Sequence, residues 1–394
     1  MELEPNDDQK LLLDSAESMF ARYYKPGFRA TAVESETGWS DAVWQASTEL
    51  GLATLTVDEE FGGAGAGPVE VYVVQQALGR HAAVEPLLDG VYLPSWLISE
   101  LGTDEQRHAL LAELANGTAI GAVAHAEPGR EWDALPSVTA ERSDTGGPVW
   151  LTGVKSPVAR ADRARFLLVT AVDADGELGV YLVSADAPGL SRGDGRTTDW
   201  THASRMSFDR TPATALGTPG RSAARAVDIA FARARIAVLG ETVGLMESAL
   251  AQTVEYLKSR KQFGVPLSAF QALVHRAADL YAQIELARSI ALWATATLEA
   301  FDGEDLTAPL AAADDGFVFV AETARLVAEE AVQLHGGIGM TFETAVSHYA
   351  ARLTAITQSF GGLVATRRRA LGSSSPVTPP SALRDTADPA LLPA

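Results

Sequence analysis

Three long Ala-rich segments, residues 226–259, 269–300 and 311–334, read as helices with little to interrupt them. Helices of such length bury their apolar stripes against one another, so residues 223–372 are expected to form a four-helix bundle. Upstream the periodicity changes twice. Leu11, Leu12, Leu13, Ala16, Met19, Phe20 and Tyr23 recur at three-to-four spacing, and residues 1–120 are expected to be helical as well. There Pro68 follows a glycine-rich loop and can open a helix over 69–78, while Thr103 is placed as an N-cap before acidic first-turn residues. Between 121 and 222 the pattern turns to short β-rich runs at 149–152, 165–170, 179–183 and 206–209, broken by Gly, Asp and Pro. The reading is an α+β chain with a helical domain, a middle β domain and a helical bundle. Residues 373–394, rich in Pro, Ser and Ala, are expected to be a flexible tail.

Composition excludes several functions. With 47% hydrophobic and 21% charged residues the 394-residue chain is of ordinary globular type. A net charge of -20 offers no basic face for nucleic acid. The absence of cysteine removes disulfides and thiolate chemistry together. No apolar run is long enough to span a bilayer, and the acidic first residues lack the apolar core of an export signal, so a cytoplasmic location is expected. His81, His108, His125, His202, His275, His335 and His348 are scattered without metal-ligand spacing, so no metal site is expected. Neither a G-x-G-x-x-G after a strand nor a G-x-S-x-G elbow is present.

The segment 226–259 closes on Arg260-Lys261-Gln262-Phe263-Gly264, with Phe270-Gln271 just beyond. Gln333-Leu334-His335-Gly336-Gly337 then interrupts a later helical run, and its glycine pair lets backbones, or a backbone and a flat ligand, approach closely. Alone, the first of these is a solvated Arg beside a capping Gly. In this order and spread over most of the chain, the segments resemble the flavin-binding signatures of the acyl-CoA dehydrogenase family. The helical, β, helical layout is similar to that family's fold. The resemblance implies FAD as cofactor, an acyl-CoA thioester as substrate, an electron-transfer flavoprotein as acceptor and a tetramer of like or related subunits. It implies that Arg260 and Phe263 meet the FAD pyrophosphate of a neighbouring subunit. Gln271 joins this cofactor set, and Gln333, Gly336 and Gly337 lie along the adenine end.

Two further segments extend the resemblance. Ala126-Glu127-Pro128 is similar to the family's T-E-P stretch, whose backbone faces the flavin; downstream, Trp132 stands where the family keeps a serine for the pyrophosphate. Trp150-Leu151-Thr152 is similar to its W-x-T, implying an indole over the flavin and a Thr at its N5 edge.

The chemistry also needs a carboxylate to remove the proton alpha to the thioester. One branch of the family carries that Glu just before a Gly late in the chain, where residues 353–362 hold no carboxylate. Another carries it immediately before an Arg, where this chain has Ala234 followed by Arg235. The remaining candidate is Glu241, ~10 Å further along the same helix face, with Arg235 as its positioning partner. The G-E-x-x-G at 240–244, with R-x-Q-F-G at 260–264 and H-G-G-I-G-x-T-x-E at 335–343 downstream, resembles a subgroup of the family that includes subunits of heteromeric dehydrogenases acting on CoA thioesters of steroid side chains. Three readings stand: a dehydrogenase, a half-site subunit completed by a partner, and a flavin monooxygenase on the same fold.

Overall fold

A computed structural model describes residues 5–142 and 148–373; all but the first residue of the expected tail lies outside them. Six helices come first: α1 (Asp7–Tyr23), α2 (Phe28–Glu34), α3 (Asp41–Glu49), α4 (Pro68–Arg80), α5 (Leu93–Leu101) and α6 (Asp104–Ala115). Their starts follow local chemistry. Asn6 and Gln9 cap each other's backbone at 2.9 Å ahead of α1, and Thr103 does the same with Gln106 ahead of α6. Pro68 occupies the first turn of α4, where a missing N–H costs nothing. A π-helical turn, Leu87–Tyr92, precedes α5.

Seven strands follow: β1 (Gly121–Ala124), β2 (Thr139–Arg142), β3 (Val149–Ala159), β4 (Phe166–Val172), β5 (Leu178–Ser184), β6 (Leu190–Arg196) and β7 (His202–Leu216). The pairings β4–β2, β2–β3, β3–β7, β7–β5 and β5–β4 close on themselves, making a small barrel with β1 and β6 at its margins. Leu151, Val158, Leu167, Val169 and Phe208 fill it. Strands β1, β2 and β6 were not legible in the sequence. The first two are four residues long, and β6 is exposed along nearly all its length, so none carries an alternating apolar signal.

The last region holds α7 (Arg221–Ser259), a two-stranded hairpin of β8 (Lys261–Gln262) and β9 (Val265–Pro266), then α8 (Gln271–Glu299), α9 (Thr307–His335), α10 (Val346–Ile356) and α11 (Gly362–Ser373). Helix α7 begins five residues earlier than its apolar pattern suggested. It packs against α4 on one side and α9 on the other, and the helices of both regions share one hydrophobic core. The contact with α4 is close because it is made through glycines. A Cβ on Gly240 would lie 2.4 Å from the Tyr72 carbonyl oxygen, one on Gly244 2.2 Å from that of Gln76, and one on Gly79 2.0 Å from that of Glu241. The G-E-x-x-G pattern is thus a helix-packing device. No helix among the described residues is long and apolar enough to cross a membrane.

Candidate functional site

A cavity of about 580 Å³ opens where the barrel meets the helices. One wall is the segment after β1, including His125, Ala126, Glu127 and Trp132. A second is the far end of β3, at Ser156, Pro157 and Ala159. Helix α7 contributes Phe231, Ala234 and Val238; α10 and the turn after it contribute Arg352, Ala355, Gln358 and Phe360. The π-helical turn supplies Asp89, and the β6–β7 connection supplies Thr197, Asp199 and Thr201. The cavity has two levels. Ala234 and Gln358 share one with an aromatic cluster in which Trp132 packs on His125 (4.6 Å), Phe231 (5.0 Å) and Phe360 (5.8 Å). Asp89, Asp199 and Arg352 form the other, level with Glu241, which is ~10 Å from Ala234 along α7.

The segment after β1 is fixed by polar contacts. Lys155 donates to Glu127 Oε1 at 2.8 Å and to the His125 carbonyl at 2.9 Å, and the Ser137 and Val138 amides donate to Glu127 at 2.7 and 3.1 Å. Burial pushes Glu127 up, but the hydrogen bonds from Lys155 and Ser137 overcome it and hold the carboxyl at about 2. Burial pushes Lys155 down to about 8, with Glu127 resisting. Burial likewise lowers His125 to about 4, so its ring is neutral, and both its nitrogens are engaged, with Thr170 at 3.1 Å and the Trp132 carbonyl at 3.0 Å. The Glu127 side chain is thus held by Lys155, Ser137 and Val138, and the Ala126 carbonyl accepts from the Ser156 amide at 2.8 Å.

Three sequence expectations need correction. Trp150 and Thr152 do not reach the cavity. Trp150 lies opposite Glu141 and Pro212 in the sheet with the Arg210 guanidinium 5.5 Å from its ring, and Thr152 is exposed. The cavity begins four residues further along β3, where Ser156, Pro157 and Ala159 offer no indole. Glu241 is not available as a base. It is 3% exposed and accepts from Arg352 Nε at 2.6 Å and Nη2 at 2.9 Å, while Arg352 Nη1 reaches Asp199 at 3.1 Å. A carboxylate in the apolar stripe of α7 is buried there because a guanidinium on α10 meets it. Arg235 does not position Glu241; it faces away, ion-paired with Asp314 at 3.3 Å with its guanidinium 5.5 Å from the Phe360 ring.

Among the described residues that line the cavity, nearly every titratable group already has a partner. Glu131 pairs with Arg368 at 2.6 Å. Asp199 is held at about 2: burial raises it, and Arg352 outweighs that. His202 Nδ1 meets Asp162 at 2.7 Å, and its ring lies against Gly38. Asp89 is the exception. It makes no hydrogen bond to a described residue, and burial pushes its carboxyl up against the pull of Arg160. Sequence reasoning missed Asp89; its one signal was an acidic residue between the apolar pairs Leu87-Leu88 and Val91-Tyr92.

The other expected cofactor residues gather elsewhere. Phe263 (φ +54°) and Gly264 (φ +83°) form the tip of the β8–β9 hairpin beside Arg260, and Phe263 is 91% exposed. Tyr256, one turn before Arg260, stacks on His335 at 4.5 Å, which brings Gln333, Gly336 and Gly337 to the same end of the bundle. A Cβ on either of these glycines would meet nothing within 4 Å. Gln271 opens α8 nearby and is exposed. Arg260 lies 26 residues beyond Ala234 on α7 (260 − 234), or ~39 Å along the axis. One chain cannot bring both ends to one ligand.

An FAD therefore fits these residues as a group shared between chains. In the cavity, Arg130 is tied to the Leu135 carbonyl (2.7 Å) and Glu127, and Arg352 to Glu241 and Asp199. The pyrophosphate finds no free guanidinium there, whereas Arg260 has no ion-pair partner among the described residues.

Comparisons with known proteins point to one family. The family model "Acyl-CoA dehydrogenase, N-terminal domain" matches residues 6–118, and "Acyl-CoA dehydrogenase, C-terminal domain" matches 224–371. Acyl-CoA dehydrogenase IpdE2 of Mycobacterium tuberculosis is 30% identical over 86% of this chain and 88% of its own length. Among solved structures, a variant of the Tcur3481-Tcur3483 steroid ACAD is 32% identical with a TM-score of 0.84, covering 93% of this chain and 97% of its own. The ChsE4-ChsE5 complex from Mycobacterium tuberculosis is 25% identical with a TM-score of 0.84, covering 95% and 100%.

Proposed function

The chain belongs to the acyl-CoA dehydrogenase family, and on that premise we propose that it is a half-site subunit of a heteromeric, FAD-dependent acyl-CoA dehydrogenase in the cytoplasm. It gives its Arg260 edge to a partner's flavin, and the partner's own cleft carries the base. One observation supports this most strongly: the two places where the family keeps its base, Ala234 and the stretch 353–362, both reach the cavity, the latter through Ala355, Gln358, Ser359, Phe360 and Gly361, and neither brings a carboxylate to accept a proton from the alpha carbon. Its relatives favour the same reading, since two similar structures are of paired proteins, Tcur3481-Tcur3483, a steroid ACAD, and the ChsE4-ChsE5 complex.

Bound FAD supplies the acceptor for a hydride from the beta carbon of a CoA thioester, and an electron-transfer flavoprotein suits its reoxidation. This chain's residues bind and position. Arg260 has the planar fork that meets a pyrophosphate with two charge-assisted hydrogen bonds. Phe263, standing out of the hairpin tip, covers the neighbouring chain's ligand, and Gly336 and Gly337 let backbone lie close against its adenine end. In its own cavity the chain retains an acyl-sized space walled by Trp132, Phe231 and Phe360. The Gln358 amide can hydrogen-bond there but holds no proton-accepting charge.

The test is to purify the chain alone and with a related subunit that carries a carboxylate at either family position. Both samples are assayed on a panel of acyl-CoA thioesters with an artificial electron acceptor. The reading expects turnover only in the mixture, lost when the partner's carboxylate becomes an amide. Turnover by the chain alone at the rate of the mixture overturns it.

A further inference from the structure

Among the described residues, Asp89 is a carboxylate without a side-chain hydrogen-bond partner in a cavity where each other carboxylate has one. It stands on the π-helical turn Leu87–Tyr92, a geometry that recurs at functional sites. Its depth is fixed by its neighbours. A recess of about 20 Å³, room for one water, opens beside it and is shared with Glu85, Arg160, Thr201, Glu241 and Arg352. Asp89 thus belongs to the level of Glu241, ~10 Å below that of Ala234. That is too far to act on the carbon beside a thioester held near Gln358, and it lies where an acyl group would end.

A plain hydrocarbon reaching this level would strip Asp89 of the open cavity's water and leave it one water-sized recess and the charges of Arg160 and Arg352, with no hydrogen bond from a described residue, an arrangement that is costly for a charged group. A hydroxyl at the same place would donate to it. We infer that this cavity takes a CoA thioester whose acyl group carries a hydrogen-bond donor at its far end, and that Asp89 accepts that hydrogen bond. The inference rests on the proposed function, with the acyl-sized space of this chain's own cavity taken as a thioester pocket besides the partner's catalytic cleft. Asp89 is here a recognition residue, and the turn Leu87–Tyr92 holds it facing the ligand's end.

The experiment uses the full-length protein in its assembled form and isothermal titration calorimetry. The probes are the hexanoyl, octanoyl and decanoyl thioesters of CoA, each paired with its omega-hydroxy counterpart. At one length or more the hydroxylated thioester should bind about tenfold tighter, the scale of one hydrogen bond to a charged group. Asp89→Leu should remove that preference by weakening the hydroxylated ligand and strengthening the plain one, whereas Asp89→Asn, which keeps an acceptor, should retain part of it. Equal binding of both members at every length overturns the inference alone, as does a preference that survives in Asp89→Leu. If no thioester binds this cavity, the thioester reading falls and the inference with it.

Discussion

Glu241→Gln should destabilise the fold and leave proton transfer untouched. The Glu241 carboxylate is 3% exposed and receives two hydrogen bonds from Arg352, at 2.6 and 2.9 Å. Asp199, fully buried, holds the third edge of the same guanidinium at 3.1 Å and lies 3.8 Å from Arg29. An amide keeps one acceptor, but its NH₂ group meets a guanidinium N–H with no lone pair to offer. It also leaves two guanidiniums sharing one carboxylate. Breaking a buried ion pair costs ~3–5 kcal/mol. Arg352 keeps Asp199 and is 23% exposed, so the lower end applies, about 3 kcal/mol. At roughly 1–2 °C per kcal/mol for a chain of this length, the apparent unfolding midpoint should fall by ~3–6 °C. Differential scanning calorimetry on the oligomer gives that midpoint, and the turnover of the assembled enzyme is measured below it. An unchanged midpoint, or a loss of turnover by orders of magnitude with the fold intact, would refute the reasoning and return Glu241 to the chemistry.

Gly244→Ala places a Cβ 2.2 Å from the Gln76 carbonyl oxygen, so α4 and α7 must separate. A loss of ~1–3 kcal/mol is expected from chemical denaturation. Phe263→Ser should weaken self- or partner association seen by sedimentation without moving the unfolding midpoint of the separated chain, because the ring is 91% exposed. Asp199 and Glu127 are both held at about 2 in the fold, below the ~4 of unfolded carboxylates. Their contribution is complete above ~pH 4 and is lost as pH falls toward ~2; Asp199→Asn should flatten that part of the stability profile measured by denaturation at each pH.

Much of this was legible in the sequence because helices of twenty to forty residues announce themselves. The bundle helices, the Pro68 and Thr103 starts and the longer strands all followed from period and capping chemistry. The outer edge that carries Arg260, Phe263 and the Gly336 pair was singled out by motif resemblance alone, and the structure places these residues together at one end of the bundle. The cavity was harder. Trp150 had the right residue type on the right strand, but β3 is eleven residues long, and only the partners opposite show which part faces the helices. Glu241 was isolated in its apolar stripe, and nothing short of the fold revealed Arg352, 111 residues away, as its partner. Asp89 was hidden because its meaning lies in what fails to approach it.

The division of the flavin site between chains is tested most directly by light scattering with flavin absorbance followed on the same eluting peak, for the chain alone and mixed with a related subunit. Arg260 stands ~39 Å along α7 from Ala234 in the cavity of its own chain, so the flavin should travel only with species of two or more chains, and Arg260→Ala should strip it from them. A flavin-replete monomer would contradict the account.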